Sequence, residues 1–242
     1  RKQDFSDWSL QILDNASQDD TAERIKKELG NLSVPYTCIQ NKTNEGFAGG
    51  HNSLFRENNS DYVLLLNQDM YLESGCLKRM VEYLEAHLDV TAVSPRLMRW
   101  DFQLLVSQNS EREKDAELLK RSFTDHIDAL GLKIFRNRRV IEQYTRQDWS
   151  KMQSTFAGNE LPVFGLSGAL PLYRSSDLKE SLYASGSLFD ETYHAYKEDV
   201  DLAYRLLSAG KRSLVLLDIS AYHDRSGAGP RETGDAEAAK NK

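Results

Sequence analysis

The sequence has few cysteines, no long apolar run and no excess of basic residues. Its two cysteines, Cys38 and Cys76, stand in apolar surroundings without metal-site spacing, which predicts two small buried side chains and requires no oxidising compartment. No apolar run approaches the ~20 residues of a membrane-spanning helix. The formal net charge of −6, from 31 basic and 37 acidic residues, argues against a nucleic-acid partner.

The composition and the two ends of the chain set further expectations. With 40 % apolar and 28 % charged residues, the 242 residues are typical of a soluble globular protein that can bury its own core. The chain opens on Arg1-Lys2-Gln3-Asp4 with no apolar stretch behind these charges, so we expect no signal peptide and a cytoplasmic location. Residues 227–242, rich in Gly, Ala, Glu and Lys, are expected to form a flexible tail.

Strand-length apolar runs alternate with helical periodicity through the first half of the chain. Val34 to Gln40 and Val90 to Val93 are predicted strands, and Tyr62 to Leu66 is a continuous apolar run typical of a strand buried on both faces. Ser74 to His87 carries apolar residues at helical spacing. The alternation predicts an α/β fold with a doubly wound, Rossmann-like, mostly parallel sheet flanked by helices.

The second half continues with less regular signals. The predicted elements are a helix at Glu111 to Arg121, a hairpin around Lys133 to Glu142, strand character from Pro162 to Tyr173, a helix at Val200 to Ser208 and a last strand at Leu214 to Leu217.

Three polar clusters follow predicted strands, where ligands bind in open α/β sheets. They are Asp14-Asn15, Asn67-Gln68-Asp69 and the segment from Asp218 to His223. Asn67 and Asp69 would point the same way from an extended strand end, which suits a hard divalent cation that also binds phosphate oxygens. The alternatives are a capping or turn role for Asp14 and an Asx turn without metal at Asp69.

Carboxylates crowd the start of the predicted helix near the C-terminus: Glu198, Asp199 and Asp201. The helix dipole accounts for at least one of them, and mutual repulsion would raise a pKa toward that of a general base. Three aromatic residues come just before them: Tyr193, His194 and Tyr196. These would pack against a sugar face or, alternatively, anchor the helix.

His223 lies just past the last predicted strand, on the same sheet edge as Asp69, and is either structural or part of the site. The glycines of Gly46-Phe47-Ala48-Gly49-Gly50 predict a turn whose backbone could approach a phosphate. A short helix near Asn52 to Arg56 would follow that turn.

The ordered set of motifs resembles family 2 glycosyltransferases, most closely the bacterial rhamnosyltransferase-like branch. The matching segments extend from Leu10 to Ser226 and are Asp14-Asn15-Ala16-Ser17-Gln18-Asp19, Asn44-Glu45-Gly46-Phe47-Ala48-Gly49-Gly50-His51-Asn52, Leu66-Asn67-Gln68-Asp69, Phe189-Asp190-Glu191, Tyr196-Lys197-Glu198-Asp199-Val200-Asp201-Leu202 with Arg205 and Gly210, and Tyr222-His223.

The resemblance implies a GT-A fold over residues 1–226 and inverting transfer from a nucleoside-diphosphate sugar. Residues 1–97 would be the nucleotide-sugar-binding half, and 98–226 the acceptor and catalytic half. The implied nucleotide-sugar-binding residues are Asp14 and Asn15 at the base or ribose, and Gly46, Phe47, Gly49, Asn52, Asn67 and Gln68 nearer the diphosphate and sugar.

The same resemblance assigns the chemistry. Asp69 and His223 would bind Mg²⁺ or Mn²⁺, with Asn67 in place of the first acid of the family's D-x-D motif, and the metal would stabilise the departing diphosphate. Asp199 would be the general base. Glu198, Asp201 and Tyr196 would position the acceptor or the helix.

The resemblance further implies a glycan or lipid-linked acceptor, as in bacterial cell-surface polysaccharide synthesis. It leaves open a peripheral position at the inner face of the membrane and a homodimer. Arg1 to Asp7 are too polar for the family's apolar first strand, so we expect that strand to be missing. The alternatives are a nucleotidyltransferase, which would carry a basic glycine-rich phosphate loop near its start, and a non-catalytic nucleotide- or carbohydrate-binding module.

Overall fold

A computed structural model describes residues 3–106, 116–193 and 195–225. Its strands are β1 (Leu10–Asp14), β2 (Tyr36–Gln40), β3 (Tyr62–Leu64), β4 (Met70–Leu72), β5 (Ala92–Trp100), β6 (Phe123–Ala129), β7 (Leu132–Ile134), β8 (Val140–Glu142), β9 (Glu160–Val163), β10 (Leu172–Arg174) and β11 (Ser213–His223). Its helices are α1 (Thr21–Leu29), α2 (Gly46–Arg56), α3 (Cys76–Ala86), α4 (Phe102–Val106), α5 (Ala116–Ser122), α6 (Trp149–Met152), α7 (Ser175–Glu180) and α8 (Glu198–Ser208). The expected tail at 227–242, the start of the helix predicted from Glu111, and His194 lie outside the described residues.

The larger sheet of the described residues has seven strands in the order β3-β10-β5-β11-β4, with β6 beside β5 and β9 beside β11. β5 and β11 are parallel, whereas β10, β4, β9 and β6 are antiparallel to the strands they pair with. The prediction of a mostly parallel sheet is therefore wrong in this detail. Parallel neighbours in a sheet need a long crossover connection, whereas antiparallel neighbours do not. In the second half of the chain, short strands return to the sheet and pair antiparallel.

β1 and β2 form a separate parallel pair that α1 connects, with Leu10 opposite Tyr36. Within the ranges described, no strand joins this pair to the larger sheet. β7 and β8 form the predicted hairpin between Lys133 and Glu142.

Alternation along the strands separates two apolar clusters, one on each face of the larger sheet. Leu214 and Leu216 of β11 pack with α3, whereas Val215 and Leu217 pack in the cluster that holds Leu202 of α8. The site-bearing helix α8 therefore lies against one face, and α3 covers the other. In the part of the chain that the structure describes, no helix combines the length and apolar character needed to cross a membrane.

The predicted glycine turn is largely helical, because α2 already begins at Gly46. Gly46 has a left-handed backbone, with φ 71°, which favours glycine at the entry to the helix. A Cβ on Gly49 would lie 2.8 Å from the Cβ of Glu45, and one on Gly50 would lie 3.5 Å from the Cδ2 of Leu13. Gly49 therefore allows a close approach inside α2, Gly50 has room for a Cβ in ordinary contact, and Gly46 makes the turn.

Candidate active site

Asp69 and His223 meet at the edge of the larger sheet. The Nε2 of His223 is 3.3 Å from Oδ1 of Asp69, and Asp224 donates its backbone N–H to the Asp69 carbonyl at 2.9 Å. His223 is the last residue of β11 and not a loop residue beyond the strand. β11 extends past the predicted end at Leu217 because it bulges between Leu216 and Ser220 and then pairs again with β5 and β4.

The Asp69–His223 pair fits neighbouring ligand positions of one cation. Two adjacent ligands of an octahedral ion with bonds of about 2.1 Å lie about 3 Å apart, close to the separation seen here. Among the described residues, no group of three or more His, Cys, Asp or Glu side chains surrounds one metal position. Water and substrate oxygens would therefore complete the coordination, as in an open catalytic site. A carboxylate and an imidazole are compatible with Mn²⁺ or Mg²⁺ in such a site.

Behind His223 lies Asp128 of β6, which sequence reasoning missed. Its Oδ2 is 2.9 Å from Nδ1 of His223, and its side chain is fully buried. Burial by itself lowers the pKa of His223, but the hydrogen bonds with Asp128 and Asp69 outweigh it and raise that pKa to about 9. The signal in the sequence was an acid inside the apolar stretch from Ile127 to Leu130, because a buried acid requires partners.

Two arginines contact the Asp128 carboxylate. The Nε atoms of Arg99 and Arg225 lie 2.8 Å and 2.9 Å from its Oδ1. Burial alone would raise the pKa of Asp128, yet its contacts with His223 and the arginines hold the pKa below its usual value. Arg225 also pairs with Glu142 of β8 at 2.7 Å, so the end of β11 is fastened to the hairpin.

Asp199 lies in the first turn of α8. Its Oδ2 accepts the N–H of Gly168 at 3.3 Å, and its Oδ1 accepts the N–H of Val200 at 2.8 Å. Burial raises the pKa of Asp199 against these two hydrogen bonds, and the charge of Glu142 raises it further. The predicted cause, crowding with the adjacent acids, is therefore not the main one.

The other two acids of this turn differ from each other. Asp201 accepts the hydroxyl of Tyr183 at 2.7 Å and Nε of Arg205 at 2.9 Å, which fastens α8 to the preceding loop. Glu198 is only 6 % exposed, and its Oε2 has no hydrogen-bond partner among the described residues. Burial, with a smaller effect from Asp199, raises the pKa of Glu198 to about 7.

The loop before α8 is strained and exposed. Tyr196 and Lys197 both have left-handed backbones, with φ 71° and 78°. Two consecutive non-glycine residues in this region store strain of the kind that clusters at functional sites. Tyr196 is 75 % exposed and Tyr193 38 % exposed, so the predicted aromatic wall faces solvent at these two positions.

One short segment connects Asp199 to the loop of Asp69. Gly168 binds Asp199, and the carbonyl of the next residue, Ala169, accepts the N–H of Asn67 at 3.0 Å. A Cβ on Gly168 would also lie 3.4 Å from the ring of Phe47, at the start of α2. The structure therefore brings the predicted base, the predicted metal loop and the glycine-rich helix start to one place.

Two predicted nucleotide-binding residues are engaged within the protein. Asn15 accepts the N–H of Glu45 at 3.0 Å and donates to the Gly46 carbonyl at 3.0 Å. Asn52 donates to the carbonyl of Phe189 at 2.9 Å and accepts its N–H at 2.8 Å. These hydrogen bonds give both residues a role in holding the site's loops, and their contact with the nucleotide sugar stays a prediction.

Asp14 has a different environment. It is 3 % exposed, and its Oδ1 accepts the N–H of Ser17 at 3.2 Å. Its Oδ2 is buried without a hydrogen-bond partner among the described residues. An unpaired buried carboxylate oxygen is costly, so this atom is a candidate acceptor for a ligand donor.

The family model described as Glycosyl transferase family 2 matches residues 1–145 of the chain. The chain belongs to glycosyl transferase family 2. Among curated members, the putative glycosyltransferase EpsE of Bacillus subtilis (strain 168) is 28 % identical over 99 residues, which are 41 % of this chain and 36 % of that protein. The chain thus matches little more than a third of the length of this relative.

Solved structures of similar fold include GalNAc-T7, crystallised with UDP, GalNAc and Mn²⁺. It has a TM-score of 0.62 at 9 % identity, over 88 % of this chain and 37 % of its own. TarS of S. aureus, residues 1–349 in complex with UDP, has a TM-score of 0.58 at 18 % identity, over 93 % of this chain and 54 % of its own. These likenesses establish the expected GT-A fold for this family 2 member.

Proposed function

We propose that the chain transfers a sugar, with inversion, from a nucleoside-diphosphate sugar to a hydroxyl of a glycan or lipid-linked acceptor. The observation that carries the proposal is the position of Asp199. It is a half-buried carboxylate with a raised pKa, and its partner Gly168 directly precedes Ala169, whose carbonyl binds the loop of Asp69. The family membership supports sugar transfer as the reaction class.

In this reaction the acceptor oxygen forms a bond to the anomeric carbon as the bond from that carbon to the diphosphate oxygen breaks. Asp199 takes the proton of the acceptor hydroxyl, and the nucleoside diphosphate leaves with the bonding electron pair. A raised pKa makes Asp199 a better proton acceptor than an exposed aspartate. The N–H of Gly168 holds one carboxylate oxygen and so orients the group. No covalent sugar–enzyme intermediate is required for inversion.

Asp69 and His223 would hold a divalent cation beside the diphosphate. When bound, such a cation supplies positive charge that stabilises the leaving group. The crystallised GalNAc-T7 contains Mn²⁺ and UDP, which supports Mn²⁺ and UDP as the first ion and nucleotide to test here.

The first half of the chain, residues 1–97, would bind the nucleotide, and residues 98–226 would bind the acceptor. Asp14 supports this division because its unpaired Oδ2 could accept a hydrogen bond from the base or ribose. Assignment to the rhamnosyltransferase-like branch, a lipid-linked acceptor, peripheral membrane association and a homodimer remain parts of this proposal that rest on the family resemblance.

The proposal is tested by a screen of nucleoside-diphosphate sugars, with and without Mn²⁺ or Mg²⁺, followed by a transfer assay with Asp199→Asn. We expect thermal stabilisation by a nucleoside diphosphate in the presence of the ion. Asp199→Asn should lower kcat by about 10²–10⁴-fold, the typical contribution of a positioned base, with little change in nucleotide affinity. Asp89→Asn is a matched control, because that side chain is 63 % exposed in a surface pair with Arg212.

Each outcome distinguishes the alternatives. Nucleotide binding without transfer in the unaltered chain would favour a non-catalytic binding module. Release of a sugar 1-phosphate, with the nucleoside monophosphate attached to the product, would indicate a nucleotidyltransferase. Full transfer activity in Asp199→Asn would show that another group takes the proton.

A further inference from the structure

We propose that Asp128 is a positioning residue that presents the Nε2 of His223 to a divalent cation. The inference rests on the metal-binding part of the proposed function and adds a residue that no motif marks. Asp128 contacts His223 and the guanidinium groups of Arg99 and Arg225. It would act entirely through the imidazole ring.

The geometry fixes the orientation of the ring and determines which nitrogen faces Asp128. Nδ1 of His223 lies 2.9 Å from Asp128, whereas Nε2 lies 3.3 Å from Asp69. A carboxylate can only accept a hydrogen bond, so the proton shared with it belongs on Nδ1. A cation that binds beside Asp69 would displace the proton that Nε2 shares with Asp69, and the lone pair of Nε2 would then face the ion. Metal-bound histidines are commonly oriented by such a carboxylate on the other nitrogen.

The backbone makes this arrangement rigid. Asp128 is on β6, which pairs with β5, and β5 in turn pairs with β11. His223 is directly opposite Arg99 across the β5–β11 pair, and Arg99 contacts Asp128. The carboxylate, the arginine and the imidazole are therefore held by three adjacent strands and not by loops.

The charges of the cluster favour a cation beside Asp69. Arg99 and Arg225 both contact Asp128, and Arg225 also contacts Glu142. These two guanidinium groups offset the charges of Asp128 and Glu142, so the Asp69 carboxylate is left for the ion once His223 is neutral. The same two arginines offset the charge of this fully buried carboxylate, which accepts a hydrogen bond from the ring.

The test compares Asp128→Asn with Asp125→Asn in the full chain. Asp125 is on the same strand but binds the exposed Ser150, at 2.6 Å from its hydroxyl, so its loss should not affect His223. Free Mn²⁺ is measured by electron paramagnetic resonance in the presence of UDP. We expect Asp128→Asn to weaken Mn²⁺ binding about 10–100-fold, as for other residues behind metal ligands. UDP affinity without metal should stay the same, and Asp125→Asn should bind Mn²⁺ like the unaltered chain.

A second measurement needs no substitution, because loss of a buried charge partner could unfold the chain. In the unaltered chain with UDP and diamagnetic Zn²⁺, which imidazole binds readily, nitrogen NMR reports the protonation of His223. We expect the proton on Nδ1 and the metal on Nε2. A proton on Nε2, or metal on Nδ1, would overturn the proposal.

The outcomes separate this inference from the proposed function. If the unaltered chain binds no Mn²⁺ with UDP, the proposed metal site fails and the role of Asp128 fails with it. If the unaltered chain binds Mn²⁺ and folded Asp128→Asn binds it equally well, only the role of Asp128 is refuted.

Discussion

The substitution Glu198→Gln should change the pH dependence of folding stability. Glu198 is 6 % exposed, and its Oε2 has no hydrogen-bond partner among the described residues. Burial raises its pKa from 4.5 to about 7, so the folded chain binds this proton more tightly than the unfolded chain. The stability that the protonated carboxyl contributes is therefore complete below about pH 4.5 and is lost as pH rises to about 7.

The size of the effect follows from the two pKa values. A pKa shift of one unit corresponds to about 1.4 kcal/mol, so the rise of the Glu198 pKa from 4.5 to about 7 amounts to at most about 3 kcal/mol. Most of this change in the free energy of unfolding develops between pH 5 and pH 8. Over that range the unaltered chain should lose on the order of 2 kcal/mol of stability through Glu198. Glutamine has no proton to lose in this range. The stability of Glu198→Gln relative to the unaltered chain should therefore increase by the same amount from pH 5 to pH 8.

Urea unfolding followed by circular dichroism at the two pH values measures this difference. Glu82→Gln is the matched control, because the Glu82 carboxylate is 59 % exposed and forms a surface pair with Lys78 along α3, at 3.7 Å. The free energy of unfolding of Glu82→Gln should stay within about 0.5 kcal/mol of that of the unaltered chain at both pH values. An equal stability difference between Glu198→Gln and the unaltered chain at pH 5 and pH 8 would refute the reasoning.

Two further predictions concern packing and nucleotide binding. A Cβ on Gly165 would lie 2.3 Å from the Cβ of Ala203, so Gly165→Ala should destabilise the fold by at least about 1–3 kcal/mol in urea unfolding. Gly158→Ala, with nothing within 4 Å of its Cβ, should cost much less, and equal effects would contradict the packing argument. Asp14→Asn should weaken nucleoside-diphosphate binding about 10-fold or more in calorimetry, because a hydrogen bond to a charged group contributes about 1.5–3 kcal/mol. Asp19→Asn, on the surface before α1, should leave the affinity unchanged, and unchanged affinity in Asp14→Asn would remove it from the site.

Local patterns in the sequence were sufficient for much of the secondary structure. Apolar residues at helical spacing predicted a helix at 74–87, and α3 occupies Cys76–Ala86. The apolar run from Tyr62 to Leu66 predicted a strand, and β3 occupies the first part of it, ending at Leu64. The glycine-rich segment was misread as a turn, because glycine is typical both of turns and of closely packed helices. The backbone of the folded chain distinguishes the two, because it is helical from Gly46 to Arg56.

Long-range pairing was beyond the sequence. The order of strands and helices indicated an α/β fold, but strand direction depends on which distant strands meet. β10 pairs with both β3 and β5 in antiparallel directions, and no local periodicity contains that information. The continuation of β11 to His223 also depends on a bulge and on partners in β4 and β5.

The sequence by itself determined which residue types were available for the site. Local patterns showed an acid and an amide after an apolar run, acids at a helix start, and a histidine after a strand. The order of these motifs indicated the family. Their mutual placement was decided only by the tertiary structure. Gly168 and Ala169 bring Asp199 to the loop of Asp69, and β6 places Asp128 behind His223. The physical reason is burial: a carboxylate's pKa and partners depend on what the fold packs around it, and residues 95 positions apart in the chain supply that environment.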